Sequence, residues 1–147
     1  MQLFLHGGIY RVYEEASTDR KLRKAIGEYL ALIDKIRQGQ SLKETDKSVL
    51  SPNCKKILNG EQINKSREEF INDLETIYRI KGGWTVTPLK TVCSSKEKTV
   101  ILRLAVVLQE KSYAATVMFL FNRNDQISTI DETFAEAQGT YQLEERK

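Results

Sequence analysis

The chain has 147 residues, of which 40% are hydrophobic and 29% are charged. This balance is typical of one soluble globular domain that buries a core without a metal ion or a disulfide, and it excludes an intrinsically disordered chain. The 23 basic and 20 acidic residues are well mixed, so the net charge of +3 gives little reason to expect nucleic acid as a partner.

The sequence shows no signal for a membrane or for export. Its longest apolar run, TVILRLAVVL at residues 99–108, is too short for a membrane span and contains Arg103. The amino terminus lacks the pattern of a secretory signal, so we expect a cytoplasmic protein without membrane contact. The two cysteines, Cys54 and Cys93, lie far apart without metal-binding spacing, and we expect both to be reduced.

The first half of the sequence predicts helices. From Ser17 to Arg37, apolar residues recur at three- and four-residue steps, which indicates a helix with one apolar stripe. The same period continues upstream, so this helix starts either near Ser17 or as early as Gly8. Two capping patterns follow, SLKE at residues 41–44 and SPNCKKIL at residues 51–58, and each predicts a short helical turn.

The clearest helix is predicted over residues 66–80. The segment SREEFINDLETIYRIKGG offers a capping box in Ser66 and Glu69, an apolar stripe, and Gly82 just past the end. After Gly83 the sequence changes to β-branched and aromatic runs separated by short polar loops. The runs WTVTPLKTVC, TVILRLAVVLQ, YAATVMFLFN and QISTIDETFAE predict four successive antiparallel strands.

Helices followed by a meander predict a single α+β domain over residues 1–147, with a core at about 9–137 and a solvated tail at 138–147. This order resembles the nuclear-transport-factor-2-like superfamily, with its SnoaL-like and ketosteroid-isomerase-like branches. The resemblance covers residues 17–136 and lies in the long first helix, LSPNCKKILNG, SREEFINDLETI, WTVTPLKTV and ISTIDETF. It implies helices packed on a curved four-stranded antiparallel meander, a cone-shaped, cystatin-like roll that often encloses a pocket and often dimerises through its outer sheet face.

Alternation along the strands sorts their side chains into two faces. If tight turns form at Lys111–Ser112 and at Asn124–Asp125, residue 103 lies opposite residue 120, and residue 120 lies opposite residue 129. The face predicted to contact the helices carries Val100, Leu102, Leu104, Val106, Leu108, Ala115, Val117, Phe119, Phe121, Ser128, Ile130, Glu132 and Phe134. The outer face carries Ile101, Arg103, Ala105, Val107, Thr116, Met118, Leu120, Thr129, Asp131 and Thr133. The outer face is too apolar for a fully solvated surface, so we expect it to meet a partner.

The adjacent acids Asp131 and Glu132 therefore point to opposite faces. We expect Asp131 beside Met118 and within reach of Arg103, either as an ion pair within the chain or across a dimer interface formed by these three residues. Glu132 points inward, where a carboxylate is costly unless it is paired or open to a wet pocket. We interpret it first as a structural acid that reaches water or a helix-borne Arg or Lys. The alternative is a general base.

The same face assignment predicts the lining of a pocket. The candidates are Tyr29, Tyr78, Trp84, Leu104, Phe119, Ile130, Glu132 and Phe134. Trp84 opens the first predicted strand and either lines the pocket mouth or fills the junction of helix and sheet. The resemblance to ketosteroid-isomerase-like proteins implies an inward acid acting as base beside an oxyanion donor, for which Tyr29, Tyr78 and Tyr113 are candidates.

Other catalytic devices have no basis in the sequence. His6 is the only histidine, so we expect neither a histidine dyad nor a histidine-based metal site, and no nucleotide-binding, nucleophile-elbow or zinc motif occurs. We therefore expect no cofactor and no metal. The sequence favours a small-ligand-binding or protein-interaction module that acts as a homodimer and takes a small apolar ligand. The alternative is a cofactor-independent isomerase, dehydratase or hydrolase that uses Glu132 as its base.

Overall fold

The computed structural model of the protein describes the backbone of residues 2–137 and the side chains of residues 14–137. Within these residues the chain forms three helices and six strands. Their order is α1 (Gln2–Arg37), α2 (Glu44–Lys47), β1 (Leu50–Leu58), β2 (Glu61–Asn64), α3 (Arg67–Lys81), β3 (Trp84–Ser94), β4 (Thr99–Leu108), β5 (Lys111–Phe121) and β6 (Ile127–Glu136). The predicted solvated tail, residues 138–147, lies outside the described residues.

The strands form one curved, mixed sheet in the order β2-β1-β6-β5-β4-β3. Neighbouring strands are antiparallel except β1 and β6, which run parallel. Helix α1 packs against β3 and β4, and α3 packs against β1. The predicted α+β class, with helices on a curved sheet, is confirmed. The predicted four-stranded antiparallel meander is present as β3–β6. The sequence analysis missed β1 and β2, which extend the sheet to six strands, and β1 makes it mixed.

The helical turn predicted for SPNCKKIL is wrong, since this segment is most of β1. Ser51 and Pro52 match the start of a helix, but Cys54 and Lys56 are buried while Lys55 between them is exposed. That alternation belongs to a strand with one face on a core. Pro52 falls where the pairing of β1 with β6 shifts its register, a position that tolerates the missing N–H of proline.

The helices agree with their sequence patterns in most respects. Helix α1 is continuous from Gln2 to Arg37, so it starts before Gly8 and does not begin at Ser17. Helix α3 has Ser66 as its N-cap. Ser41 does not cap α2, because that helix begins at Glu44. None of the helices within residues 2–137 combines the length and the apolar character needed to cross a membrane.

The hairpin between β4 and β5 has a different register from the predicted one. Arg103 lies opposite Thr116 instead of Leu120, because the turn is formed by Gln109 and Glu110, which both adopt positive φ. The displacement is an even number of residues. Since side chains alternate with a period of two, each one stays on its predicted face.

The pairing of β5 with β6 confirms the predicted opposition of Leu120 and Thr129. The face predicted to contact the helices accordingly contributes much of the core. Its fully buried members are Val100, Leu102, Val117, Phe119 and Ile130. A bulge beside Phe121 places Ile127 opposite it, so Ile127 is buried there, whereas Ser128 is half-buried and donates its hydroxyl to the Leu120 carbonyl at 3.0 Å.

Strand β3 forms one free edge of the sheet and carries an irregularity in its middle. Its pairing with β4 shifts between Pro88 and Lys90, so Leu89 bulges out between two paired residues. The exposed fraction of Leu89 is 39% and that of Val92 is 51%. This edge strand therefore exposes apolar side chains, and its pairing with β4 is interrupted by the bulge.

Candidate functional site

A cavity of about 200 Å³ lies between α1, α3 and the inner face of the sheet. Most of its wall is apolar, with Leu30 and Ile33 from α1, Leu74 from α3, and Val86 and Val106 from β3 and β4. Its charged and amide side chains are grouped at one end, where Lys56 of β1 lies between Asn64 of β2 and Glu132 of β6, and Asp73 of α3 contacts Asn64. The site is an apolar cavity with one polar end, which is the usual composition of a small-molecule site.

The structure brings several predicted lining residues together in this wall. They are Tyr29, Trp84, Leu104, Glu132 and Phe134. Phe119 and Ile130 do not line the cavity, because both are fully buried in the core. Tyr78 packs over the end of α1, where a Cβ added to Gly39 would come 2.6 Å from the Tyr78 hydroxyl. Gly39 therefore leaves room for this ring, and Tyr78 closes the helix junction instead of the cavity.

The polar end depends on two residues that the sequence analysis missed, Lys56 and Asn64. They are directly opposite each other in the pairing of β1 with β2. On the other side of β1, the parallel pairing places Leu58 opposite Glu132. Lys56 was missed because residues 51–58 were predicted to form a helical turn, and Asn64 was missed because no strand was predicted at residues 61–64. The signal that could have found them is the alternation of Cys54, Lys55 and Lys56, which turns one lysine inward.

Lys56 and Glu132 form a buried ion pair. The Lys56 Nζ lies 2.7 Å from Oε1 of Glu132, and the two side chains are only 10% and 14% exposed. The same Nζ lies 5.2 Å from the centroid of the Phe70 ring, within the range of a cation–π contact. The inward acid thus has a structural partner, as the first interpretation required, but that partner comes from a strand and not from a helix.

Tyr29 places a protonated hydroxyl group in the same wall. Burial raises the pKa of Tyr29 well above its ordinary value, and the nearby negative charge of Glu132 raises it further. The ring is fixed edge-on to Phe119, with 4.9 Å between the ring centroids. Tyr113, the other tyrosine considered as a donor, instead stacks its ring on Phe134 at 4.7 Å.

Asn64 is 2% exposed, and only its side-chain NH₂ group has a hydrogen-bond partner among the described residues. Its Nδ2 donates to Oδ2 of Asp73, whereas Oδ1 has no hydrogen-bond partner among the residues whose side chains the structure describes. Buried polar atoms without a partner are rare in native proteins. A hydrogen-bond donor next to this oxygen would therefore be favourable in this part of the cavity wall.

Arg103, Met118 and Asp131 lie on the outer face of the sheet, with Met118 directly opposite Asp131. The ion pair expected between Arg103 and Asp131 within one chain is absent from the described side chains, 14–137. Strand β5 lies between β4, which carries Arg103, and β6, which carries Asp131, so a whole strand separates the two charges. A pair between two copies of the chain stays a prediction.

We expect the variant Lys56→Met to lose about 3 kcal/mol of unfolding free energy, because it leaves the Glu132 carboxylate buried without a partner. The double variant with Glu132→Leu should recover most of this loss, since an apolar pair can replace a buried ion pair at little cost. Urea denaturation measures the unfolding free energy of the wild type, of Lys56→Met and of the double variant.

As a control, Lys98→Met removes the more exposed ion pair of Lys98 with Asp125, at 2.7 Å, and should cost less than about 1 kcal/mol. Equal losses for Lys56→Met and Lys98→Met would contradict the buried pair.

The fold is shared with solved structures, although no family model and no curated protein matches the sequence. A candidate ketosteroid isomerase from Kribbella flavida superposes with a TM-score of 0.65 at 13% identity, covering 84% of each chain. A candidate SnoaL-like polyketide cyclase from a Jannaschia species gives 0.62 at 10% identity, covering 76% of this chain and 85% of that one. An NTF2-like protein of unknown function from an Exiguobacterium species gives 0.60 at 15%, covering 78% and 99%. At these identities the likeness establishes the fold, so the predicted resemblance is confirmed: the chain adopts the nuclear-transport-factor-2-like, cystatin-like cone.

Proposed function

We propose that the protein binds a small, largely apolar molecule in the cavity between its helices and its sheet. The observation that carries this proposal is the composition of the wall, which is apolar except for Tyr29 and one end formed by Lys56, Asn64, Asp73 and Glu132. An apolar wall supplies affinity by removing ligand surface from water. A few polar groups at one end then fix the orientation of the ligand.

The rim of the cavity supports the same proposal. Ile63 on β2 and Ile77 on α3 both contribute to the lining, and their exposed fractions are 41% and 37%. Large apolar side chains exposed to water lower the solubility of a protein. Where they lie beside a cavity, they are typical of a binding site. We infer that the ligand enters between β2 and α3.

We propose in addition that two copies associate through the outer face of the sheet. This face exposes Ile101 and Val107, at 41% and 43%, and carries the unpaired charges described above. In a two-fold interface every contact between two different residues occurs twice, so Arg103 and Asp131 of the two copies can form two symmetric ion pairs. The apolar residues around them would supply the buried area.

Catalysis by proton transfer is a second candidate function. The observation that favours it is the placement of Glu132 and Tyr29 in one wall, where the acid could accept a proton and the phenol could donate to a developing oxyanion. A candidate isomerase and a candidate cyclase are among the similar structures. However, the 2.7 Å contact with Lys56 occupies one oxygen of the Glu132 carboxylate, which favours binding over catalysis.

Filling the cavity should abolish binding. We expect Val106→Phe to weaken the binding of camphor, a compact apolar ketone, by at least about tenfold, because the added ring occupies ligand space. Val107→Phe is the matched control: Val107 is the next residue of the same strand on the opposite face, and the change should leave the affinity within about twofold. Isothermal titration calorimetry measures both. Wild-type protein that binds neither camphor nor the corresponding alcohol would contradict the proposal.

The catalytic candidate predicts exchange of α-hydrogens. In D₂O, wild-type protein should accelerate deuterium incorporation next to the carbonyl of a small cyclic ketone, and Glu132→Gln should slow it at least about a hundredfold by removing the base. Tyr29→Phe should slow it less. Proton NMR follows the signal loss, and a wild-type rate equal to that of buffer would exclude Glu132 as a base toward ketones.

The dimer proposal predicts a charge-swap result. Arg103→Asp and Asp131→Arg should each shift the protein toward monomer, because each places like charges across the interface, and the double variant should restore the dimer. Multi-angle light scattering after size exclusion reports the mass. A wild-type monomer at micromolar concentration would rule out the interface.

A further inference from the structure

We propose that the ligand of this cavity carries a hydroxyl group, and that the hydroxyl donates its proton to Oδ1 of Asn64. The inference rests on the proposed binding function and adds the chemical class of the ligand. It predicts a compact, neutral alcohol and disfavours the corresponding ketone or hydrocarbon.

The argument starts from the orientation of the Asn64 side chain. An ionised Asp73 carboxylate accepts hydrogen bonds and cannot donate them. The group of Asn64 that contacts it must therefore be the NH₂. Turning the amide over would bring two acceptor oxygens together. Oδ1 is therefore directed to its present side, where no described residue donates to it.

A buried carbonyl oxygen of this kind is costly unless a donor reaches it. Asn64 is 2% exposed and belongs to the cavity wall, so the partner must come through the cavity. Oδ1 itself is covered, so the proposed hydrogen bond requires the amide to turn toward the cavity. Asp73, the acceptor of the Nδ2 hydrogen bond, is an exposed residue.

The neighbouring charges decide between possible donors and acceptors. Lys56 and Glu132 neutralise each other, and Asp73 adds a further negative charge to the lining. A ligand carboxylate would be repelled by this surplus of acceptors. A ketone could accept from Lys56, which lies opposite Asn64 in the strand pairing, but it would leave Oδ1 unpaired.

A hydroxyl group satisfies both sides of the polar end. It has one proton to donate to Asn64 and lone pairs that can accept from Lys56. Its apolar skeleton then lies along the rest of the wall. The cavity is thus expected to distinguish an alcohol from the ketone of the same shape.

Borneol and camphor test this expectation, since they share one carbon skeleton and differ as alcohol and ketone. Isothermal titration calorimetry of the 147-residue protein should show borneol binding about tenfold more tightly than camphor. Asn64→Leu should bind the two with equal affinity, because the acceptor is gone. Asn72→Leu is the matched control: it makes the same change at an exposed asparagine of α3 outside the cavity wall, and it should retain the preference for borneol.

The outcomes separate the two proposals. Equal affinities of wild-type protein for borneol and camphor would mean that a water molecule satisfies Oδ1, and would overturn the inference while leaving ligand binding intact. Failure of both compounds to bind would overturn the binding function and the inference together. The wild-type comparison decides the matter even if Asn64→Leu does not fold.

Discussion

The parallel pairing of β1 with β6 is the constraint on which the candidate site depends. It places Leu58 opposite Glu132, so that Lys56, two residues away on the same face of β1, can reach the carboxylate. Asn59 fixes this alignment just beyond the strand. Its backbone N–H donates to the Glu132 carbonyl at 2.9 Å, and its side chain both donates to and accepts from the backbone of Phe134. Because β2 returns directly along β1, the same pairing also brings the asparagine at the end of β2 into the polar end of the cavity.

This polar end makes sense as part of a site more readily than as part of a core. A buried ion pair contributes little stability relative to apolar residues of the same volume, and an unpartnered amide oxygen subtracts from it. The core proper shows neither feature, since Phe119 and Ile130 are fully buried among apolar neighbours. Local departures from good packing chemistry in an otherwise consistent fold are expected where a protein meets its ligand. The contrast lies within one sheet face, a few residues apart along β5 and β6.

Sequence could predict those parts of the fold that local chemistry determines. The Ser66 cap and the inward position of Glu132 follow from short-range patterns, namely a capping box and strict alternation. Residues 51–58 could not be assigned in this way, because Ser51 and Pro52 form a valid helix start and only pairing with distant β6 selects the strand. The β4–β5 turn was misplaced for a related reason: Gln109–Glu110 adopts positive φ without the glycine or asparagine that usually marks such turns. Because of the first error the sequence analysis missed Lys56 at the polar end of the cavity. The second error left every side chain on its predicted face.

The free edge of β3 is interrupted by the bulge at Leu89, next to Pro88. An uninterrupted edge strand of this length and composition would offer a regular row of backbone donors and acceptors to any extended chain nearby. The bulge twists that row out of line, and proline removes one donor from it. The edge strands of two copies therefore cannot pair along their whole length to form a continuous intermolecular sheet. The dimer proposed above therefore uses the outer face of the sheet and not this edge, and we expect the bulge to lower the tendency of this strand to seed fibres.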